Sequence, residues 1–372
     1  MEKTGSNARS FEFMKVVRNI LIILIAIIGI GLISVGAYFN NNLSPVDKGS
    51  KEKIIVVIPT GSSTKQIGNI LKEANLIKDA SFFYLYARIY NINDFQASTY
   101  EMSPSMNLEE IIDVIRKGNN YNPDAVTITF QEGLNMRKVA EIIATKTINT
   151  KDDVFNKLKD NSYLDKLIEE YWFITNEIKN SNIYYSLEGY LYPDTYFLDN
   201  KEVSVEEIFK IMLDEMGKKL EPYKGKIENS KYSVHQLLTI ASITESEGVT
   251  LEDRKNITSV FYNRLSIKMS LGSDVTTYYA FKVEMNERDL LASEINTYNP
   301  YNTRGPQMGG KLPVGPVCNP SINSIVASIE PNDTEYLYFV ADKNRKVYFT
   351  KTYNEHLAKI QELKNKGVWF EW

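Results

Sequence analysis

Residues 233–248 read SVHQLLTIASITESEG, and this stretch decides how the second half of the chain folds. Ser233 is a favourable N-cap residue and Gly248 a favourable C-terminal stop, so the pattern predicts a helix between them. Apolar residues occur on both sides of that helix, which predicts burial nearly all round. Other elements of the same domain must then cover it.

Two glutamates near the end of this predicted helix are candidates for chemistry. At about 100° per residue, Val234, Leu238, Ala241 and Glu245 form one stripe, so a carboxylate lies where an apolar side chain is expected. A partly desolvated glutamic acid that stays protonated near neutral pH is what a general acid requires. Glu247 points to the other side, which is apolar too. The geometry of the helix therefore leaves the choice between the two open.

A structural role for Glu245 is the alternative. Arg254 and Arg264 follow in the sequence, and either could pair with a buried carboxylate. Such an ion pair would satisfy the charge without any catalysis.

The composition excludes several classes of function. The chain has 372 residues, 24% of them charged and 43% hydrophobic, which is typical of globular proteins. Its net charge of −4 argues against nucleic acid as a partner. One cysteine, Cys318, excludes an internal disulfide, and the two histidines, His235 and His356, are far apart. We therefore predict no metal site, and we expect Cys318 to be a small buried residue.

A membrane anchor is predicted near the start of the chain. Ile20–Phe39 carries no charge, and at ~1.5 Å per helical residue it spans a hydrocarbon core of roughly 30 Å. A signal-peptide cleavage site needs small residues, whereas Ala37–Phe39 has a bulky residue at the position that would have to be small. Lys15 and Arg18 precede the span, whereas Asp47 is the first charge after it. This asymmetry predicts a cytoplasmic tail at residues 1–19 and a cell-membrane protein with its bulk outside the cytoplasm.

The outer part begins with short elements. Residues 40–53 are polar and are expected to form a linker, and Ile54–Ile58 is a β-branched run typical of a strand. Helices are predicted after Ser63, near Phe82–Ile89, and from Pro104 to a stop at Gly118.

A strand–turn–helix pattern occurs twice, at Ile58–Gly61 and at Phe130–Gly133. Units of this kind often look alike, so duplication and chance both stay open. Residues 151–180 then have the pattern of charged, amphipathic helices.

Several motifs follow one another in one order. Besides ASITE at 241–245 they are LEGYLYPDTY at 187–196, VFYNRL at 260–265, LGSD at 271–274, YNPYNT at 298–303, LPVGPVCNP at 312–320 and YLYFVA at 336–341. Together they resemble the signatures of the endolytic murein transglycosylases, the YceG-like family. The chain departs from the family pattern at Val275, at Asn299, and in a long 304–311 loop.

The resemblance implies a fold and an activity. It implies an α+β protein with a transmembrane helix at residues 20–39, a small LysM-like module at 54–120 and a mixed α/β catalytic domain at 121–372. The activity would be non-hydrolytic cleavage of the MurNAc–GlcNAc β-1,4 bond within peptidoglycan glycan strands, giving 1,6-anhydro ends and terminating glycan elongation. Glu245 would act first as the acid and then as the base, without a cofactor or metal.

The resemblance also implies contacts and partners. Peptidoglycan synthases or the elongation or division machinery would be partners, besides the glycan and the membrane. Two other classes stay open: a hydrolysing muramidase with Glu247, Asp274 or Glu188 as a second carboxylate, and a non-enzymatic, glycan-binding scaffold. The residues expected to bind substrate are Glu188, Tyr192, Ser242, Asp274, Tyr301 and Asn302.

Overall fold

The structure is a computed structural model that describes residues 4–118, 121–122 and 124–369, with side chains from residue 21 onward. The chain divides into two compact units, Met1–Pro123 and Asp124–Trp372. The sequence prediction had a module ending at residue 120 and a catalytic domain from 121.

The first unit begins with one long helix, α1 (Thr4–Leu43). Within it, Leu21–Leu43 is long and apolar enough to cross a membrane, with a mean hydropathy of 2.6. The predicted linker from residue 40 was wrong in its first residues, because the helix continues to Leu43. In its last turn, Asn42 donates from its side-chain Nδ2 to the Tyr38 carbonyl oxygen over 2.9 Å. Pro45, which cannot continue a helix, follows two residues later.

A small strand–helix–helix–strand–helix arrangement follows α1. Ser63 and Asn107 cap helices through reciprocal hydrogen bonds, and Gly118 ends the last helix at a φ of 67°. The three helices predicted from the sequence are confirmed. The two strands pair antiparallel, with Ile54 opposite Met102. In order, the elements are β1 (Ile54–Ile58), α2 (Thr64–Glu73), α3 (Ala80–Ile89), β2 (Ser98–Met102) and α4 (Leu108–Lys117).

The second unit is mostly helical. Its described strands form two antiparallel pairs, so the α+β class is confirmed. The strands are β3 (Val126–Thr129), β4 (Thr195–Leu198), β5 (Tyr338–Ala341) and β6 (Val347–Thr350), paired β3–β4 and β5–β6. The helices are α5 (Met136–Lys146), α6 (Lys151–Lys157), α7 (Asn161–Glu170), α8 (Val205–Leu220), α9 (Lys224–Glu228), α10 (Val234–Glu247), α11 (Leu251–Ser266), α12 (Asp274–Ala280), α13 (Ala292–Ile295), α14 (Ile322–Ile329) and α15 (Tyr353–Asn365), with 3₁₀ turns at Asn176–Lys179 and Glu221–Tyr223.

Helix α10 lies at the centre of the second unit. It packs against α11, α12 and α14. Every residue in its middle, from 237 to 244, is buried. Leu238 and Ala241 belong to one apolar cluster, whereas Ile240 and Ile243 belong to another. The predicted helix and its burial all round are confirmed. The helix joins two cores, and only residues in its first and last turns are partly exposed.

The repeated strand–turn–helix pattern is present in both units. β1 leads through Gly61, at a φ of 83°, to the capped helix α2, and β3 leads through Gly133, at a φ of 78°, to α5. Only glycine adopts such a φ without strain, which explains the shared residue. Duplication and chance both stay open.

Candidate active site at the end of the central helix

At the end of α10, Gly248 packs closely against Arg254 of α11. Gly248 ends α10 with a φ of −115°, which is an extended conformation open to any residue. A Cβ atom on Gly248 would lie 2.7 Å from Cγ of Arg254. The glycine is therefore required for space and not for a left-handed turn, and it admits Arg254 beside the end of α10.

Glu245 forms a buried ion pair with Arg254. Its Oε1 accepts from Nη2 of Arg254 over 2.8 Å, and its Oε2 accepts from the backbone N–H and the hydroxyl of Ser321 over 2.8 and 2.6 Å. The Glu245 side chain is 6% exposed and that of Arg254 is 9% exposed. Arg254 also donates to the Gly248 carbonyl oxygen and to the Ser321 hydroxyl. The structural partner that the sequence suggested is thus present, and a catalytic role for Glu245 stays a prediction.

A cleft of about 750 Å³ opens on the other side of the same helix end. The last turn of α10, the start of α12, strand β5 and helix α15 form its walls. Both acidic and basic side chains reach it, together with aromatic rings that a sugar could contact. The residues that line it include Glu247, Arg264, Ser273, Asp274, Tyr278, Asp289, Arg304, Phe339, His356 and Trp369.

Glu247 is the glutamate of α10 that lines this cleft. Ser273 donates from its hydroxyl to Oε1 of Glu247 over 2.7 Å. Burial raises the pKa of Glu247, and the negative charge of Asp274 raises it further, while the Ser273 hydrogen bond and the charges of Arg304 and Arg264 oppose the change. A glutamic acid that keeps its proton toward neutral pH beside a cleft is suited to donate that proton to a substrate.

Asp274 begins α12 at the rim of the cleft, with its side chain 53% exposed. It forms an ion pair with Arg304, the first residue of the long loop. Of the residues expected to bind substrate, it is the one that the cleft includes. Substrate binding by Asp274 stays a prediction.

Glu188 lies in the core and outside the cleft. It is 1% exposed, and both of its oxygens accept the backbone N–H of Met136 over 2.9 Å. The hydroxyl of Tyr279 donates to Oε2 over 2.9 Å. Burial raises the pKa of Glu188 to about 7, against the effect of these donors and of Arg137. Its position at the first turn of α5 indicates a structural role, so direct substrate contact is not supported.

The other expected substrate residues, Tyr192, Ser242, Tyr301 and Asn302, are also buried. Ser242 accepts the N–H of Val317 over 3.0 Å, and the amide of Asn302 donates to three backbone carbonyl oxygens. Tyr301 accepts the N–H of Tyr184 through its hydroxyl. These side chains hold loops together and offer a glycan no surface as folded. Direct binding by them is therefore not supported by the structure.

The sequence interpretation missed several cleft residues. Ser273 lies inside the LGSD motif and could have been found there, whereas Tyr278, Arg304 and Trp369 carry no local signal. His356 lines the cleft too, and burial lowers its pKa. Cys318 is buried, as expected, with its thiol donating to the Ser242 carbonyl oxygen.

Comparison with known proteins defines the family. A family model described as the YceG-like family matches residues 56–362. The endolytic murein transglycosylase of Bacillus subtilis (strain 168) is 37% identical over 320 residues, which are 86% of this chain and 87% of that protein. The endolytic murein transglycosylase of Streptococcus pneumoniae serotype 2 (strain D39) is 33% identical over 91% of this chain, which spans 64% of that longer protein.

A solved structure agrees with these relatives. The crystal structure of a YceG-like protein from Listeria monocytogenes is 36% identical and superposes with a TM-score of 0.59, covering 83% of this chain and all of that one. The family model and the two relatives each cover most of the chain. The chain described here therefore belongs to the YceG-like family.

Proposed function

We propose that this protein is a membrane-anchored endolytic lytic transglycosylase of peptidoglycan. It cleaves the β-1,4 bond between MurNAc and GlcNAc inside glycan strands and leaves a 1,6-anhydro end. The observation that carries the proposal is Glu247, a carboxyl group with a raised pKa on the wall of a cleft of about 750 Å³. The names of the related proteins support the same activity.

Glu247 is the better candidate for the catalytic acid, although the motif resemblance designates Glu245. A catalytic acid must hold a proton and reach the substrate. Glu247 lines the cleft and contacts one neutral donor, Ser273, whereas Glu245 has both oxygens occupied by Arg254 and Ser321. We therefore assign proton transfer to Glu247 and the bracing of the helix end to Glu245. The assignment of Glu245 as the acid stays a prediction that the same experiment tests.

The mechanism needs one carboxyl group. Protonated Glu247 gives its proton to the glycosidic oxygen as the bond to C1 of MurNAc breaks. The resulting carboxylate then takes the proton from the C6 hydroxyl, whose oxygen closes on C1. Positive charge develops near C1 as the bond breaks. Polar groups already oriented in the cleft, such as Ser273 and Tyr278, and the N-acetyl group of the substrate stabilise this charge.

Two observations favour this reaction over hydrolysis by a muramidase. Hydrolases of the usual plan need a second carboxylate that attacks or activates water. Of the three acids considered for that role, Glu188 is buried in the core, and Asp274 already forms an ion pair with Arg304. Glu247 itself is the acid. The cleft also includes Asp289, so product analysis remains the deciding measurement.

The first unit, which contains α1, would hold the enzyme at the membrane. We infer that Ile20–Phe39 anchors the chain in the cell membrane with its N-terminus in the cytoplasm, and that the unit of residues 54–118 is a LysM-like module that positions glycan. We further propose that the enzyme terminates glycan elongation and contacts peptidoglycan synthases or division proteins there. Carbonate washing should leave the protein in the membrane fraction, and a soluble form starting near residue 40 would contradict the anchor.

Product analysis tests the activity and its residue together. Purified peptidoglycan is digested with the wild type, Glu247→Gln and Glu245→Gln, and the products are identified by mass spectrometry. We expect 1,6-anhydro ends from the wild type and from Glu245→Gln, and none above background from Glu247→Gln. Reducing ends would identify a muramidase. Equal, unaltered glycan in all three digests, with all three proteins folded, would favour the scaffold.

A further inference from the structure

We propose that helix α3 lies against the outer face of the lipid bilayer, with Leu85, Ile89 and Tyr90 in contact with lipid. The proposal rests on the anchor inferred above. It assigns a membrane-binding surface to the small first unit, in addition to the transmembrane helix.

The order of contacts between α1 and α3 gives the direction of α3. Lys78, just before α3, donates from Nζ to the carbonyl oxygen of Asn41 over 2.9 Å. One turn later, the ring of Phe82 contacts the rings of Tyr38 and Phe39, with centroids 5.6 and 5.0 Å apart. As α3 proceeds, its contacts on α1 move back toward the membrane-spanning part. The helix α3 therefore descends from Lys78 toward the bilayer.

The depth of these contacts follows from the length of the span. A hydrocarbon core of about 30 Å takes about 20 helical residues. Counted from Ile20, the first residue of the uncharged run, 20 residues end at Phe39, so Tyr38 and Phe39 lie at the outer interface. Aromatic side chains are enriched at this level of a membrane protein. The contact with Phe82 holds α3 at the same level.

The exposed residues of α3 have the chemistry of an interfacial helix. At 3.6 residues per turn, Ile89 lies about 20° and Leu85 about 60° around the helix from Phe82, so both are on the side that faces α1. They and Tyr90 are exposed large hydrophobic residues, with Ile89 55% exposed. The neighbouring Arg88 is exposed as well and can reach lipid phosphates while its aliphatic part stays on apolar surface.

Lipid is the occupant that this position favours. The apolar side of α3 continues the surface of the transmembrane helix, to which it is joined by the Phe82 contacts. A peptidoglycan strand is polar and offers little apolar surface to Leu85 and Ile89. A helix that descends toward the bilayer meets acyl chains before it meets the cell wall.

Collision measurements on a spin label test the proposal in the full-length protein. A nitroxide is attached at Ile89→Cys, and the protein is reconstituted in vesicles of phosphatidylethanolamine and phosphatidylglycerol. The native cysteine, Cys318, is buried, so the unsubstituted chain supplies the labelling background. The matched control is Tyr84→Cys, an exposed position about 160° around α3 from Phe82. Ile30→Cys, within the span, reports on the anchor itself.

The expected result is a several-fold higher ratio of collisions with lipid-soluble oxygen to collisions with a water-soluble nickel chelate at Ile89 than at Tyr84. A label at Ile89 that is as accessible to the chelate as one at Tyr84, while the label at Ile30 reports lipid, would overturn the docking of α3 alone. A label at Ile30 that reports water would overturn the anchor and this proposal with it. Bond cleavage by the second unit is measured separately and decides neither outcome.

Discussion

At the scale of single residues, two glutamates two positions apart on α10 have opposite surroundings. Glu245 accepts hydrogen bonds from a buried arginine and from the N–H and hydroxyl of Ser321, which hold its side chain in one position. Glu247 faces a cleft, one hydroxyl and the repelling charge of Asp274. Residues two apart on a helix lie about 200° apart around its axis, so one helix end can hold both the buried ion pair of Glu245 and the proposed acid, Glu247.

Replacement of Glu247 should remove most of the activity. Glu247→Gln keeps the shape of the side chain but cannot cycle a proton, and general acid–base groups contribute about 10²–10⁴-fold. We expect a loss of at least that order in the rate of anhydro-product formation, measured by mass spectrometry, with unfolding in urea little changed.

Glu245→Gln is the matched control with the opposite profile. It leaves the charge of Arg254 buried without its partner, which typically costs about 3–5 kcal/mol of stability. The variant should unfold at lower urea concentration but keep much more activity than Glu247→Gln where it is folded. Loss of activity in folded Glu245→Gln together with activity in Glu247→Gln would return the catalytic role to Glu245.

Replacing either of two neighbours of Glu247 should shift the pH profile of activity, in opposite directions for the two. A general acid works while protonated, so activity falls as pH rises through its pKa. The Ser273 hydrogen bond lowers the pKa of Glu247 and the Asp274 charge raises it. Ser273→Ala should therefore move the alkaline limb of kcat/KM to higher pH, and Asp274→Asn should move it to lower pH. Identical limbs in both variants would exclude Glu247 as the titrating group.

At the scale of elements, the LEGYLYPDTY motif at 187–196 holds the start of α5 and the loop that precedes α14. Glu188 accepts the N–H of Met136 at the first residue of α5. The side chain of Asn319 accepts from the N–H groups of Gly189 and Leu191. Motif residues here act mainly as connectors between helices around the site.

Stability should fall with rising pH because of Glu188. Its pKa rises from an ordinary 4.5 to about 7 in the folded protein, so the folded state favours the protonated form. This contribution is fully present below pH 4.5 and is lost as pH rises through about 7, at about 1.4 kcal/mol per unit between the two values. Glu188→Gln should flatten the dependence in urea unfolding between pH 5 and pH 8. The exposed Glu202, replaced by Gln, should leave it as in the wild type.

Gly189→Ala should be strongly destabilising. Gly189 has a φ of +83°, and an added Cβ would lie 2.4 Å from Cβ of Pro316. Strain at positive φ and overpacking together should cost at least about 2 kcal/mol. The control is Gly225→Ala in α9, where a Cβ meets nothing within 4 Å and alanine favours the helix. A drop in thermal midpoint for Gly225→Ala equal to that for Gly189→Ala would contradict the packing argument.

At the scale of the whole molecule, each unit has an apolar core of its own. The first core joins β1, β2 and α2–α4, and the second unit contains the two clusters on either side of α10. All residues that line the cleft belong to the second unit. The proposed chemistry and the proposed membrane anchor therefore belong to separate parts of the chain.

A chain of residues 124–372 should fold and form anhydro product from soluble glycan fragments. Its own clusters supply the core, and the cleft is complete within it. A chain of residues 1–123 should form none, because it lacks the cleft. Cleavage by the first unit alone, or a folded but inactive second unit, would contradict this division of labour.

The sequence by itself determined the features that depend on neighbours along the chain. The apolar run that becomes the membrane-competent part of α1, the capped helices α2–α4, and the bounds and burial of α10 follow from hydrophobic periodicity and capping residues, which act within a few positions. The ordered motifs also determined the family.

Only the tertiary structure decided what each motif residue faces. Periodicity left Glu245 and Glu247 equivalent, because both sides of α10 are apolar. The difference between them comes from Arg254 and Ser321 on one side and from Ser273 and the cleft on the other. Glu188, Tyr301 and Asn302 were expected in the cleft and lie in the core, since their partners are distant in sequence. A motif specifies residue types, whereas burial and partners depend on the packing of the whole unit.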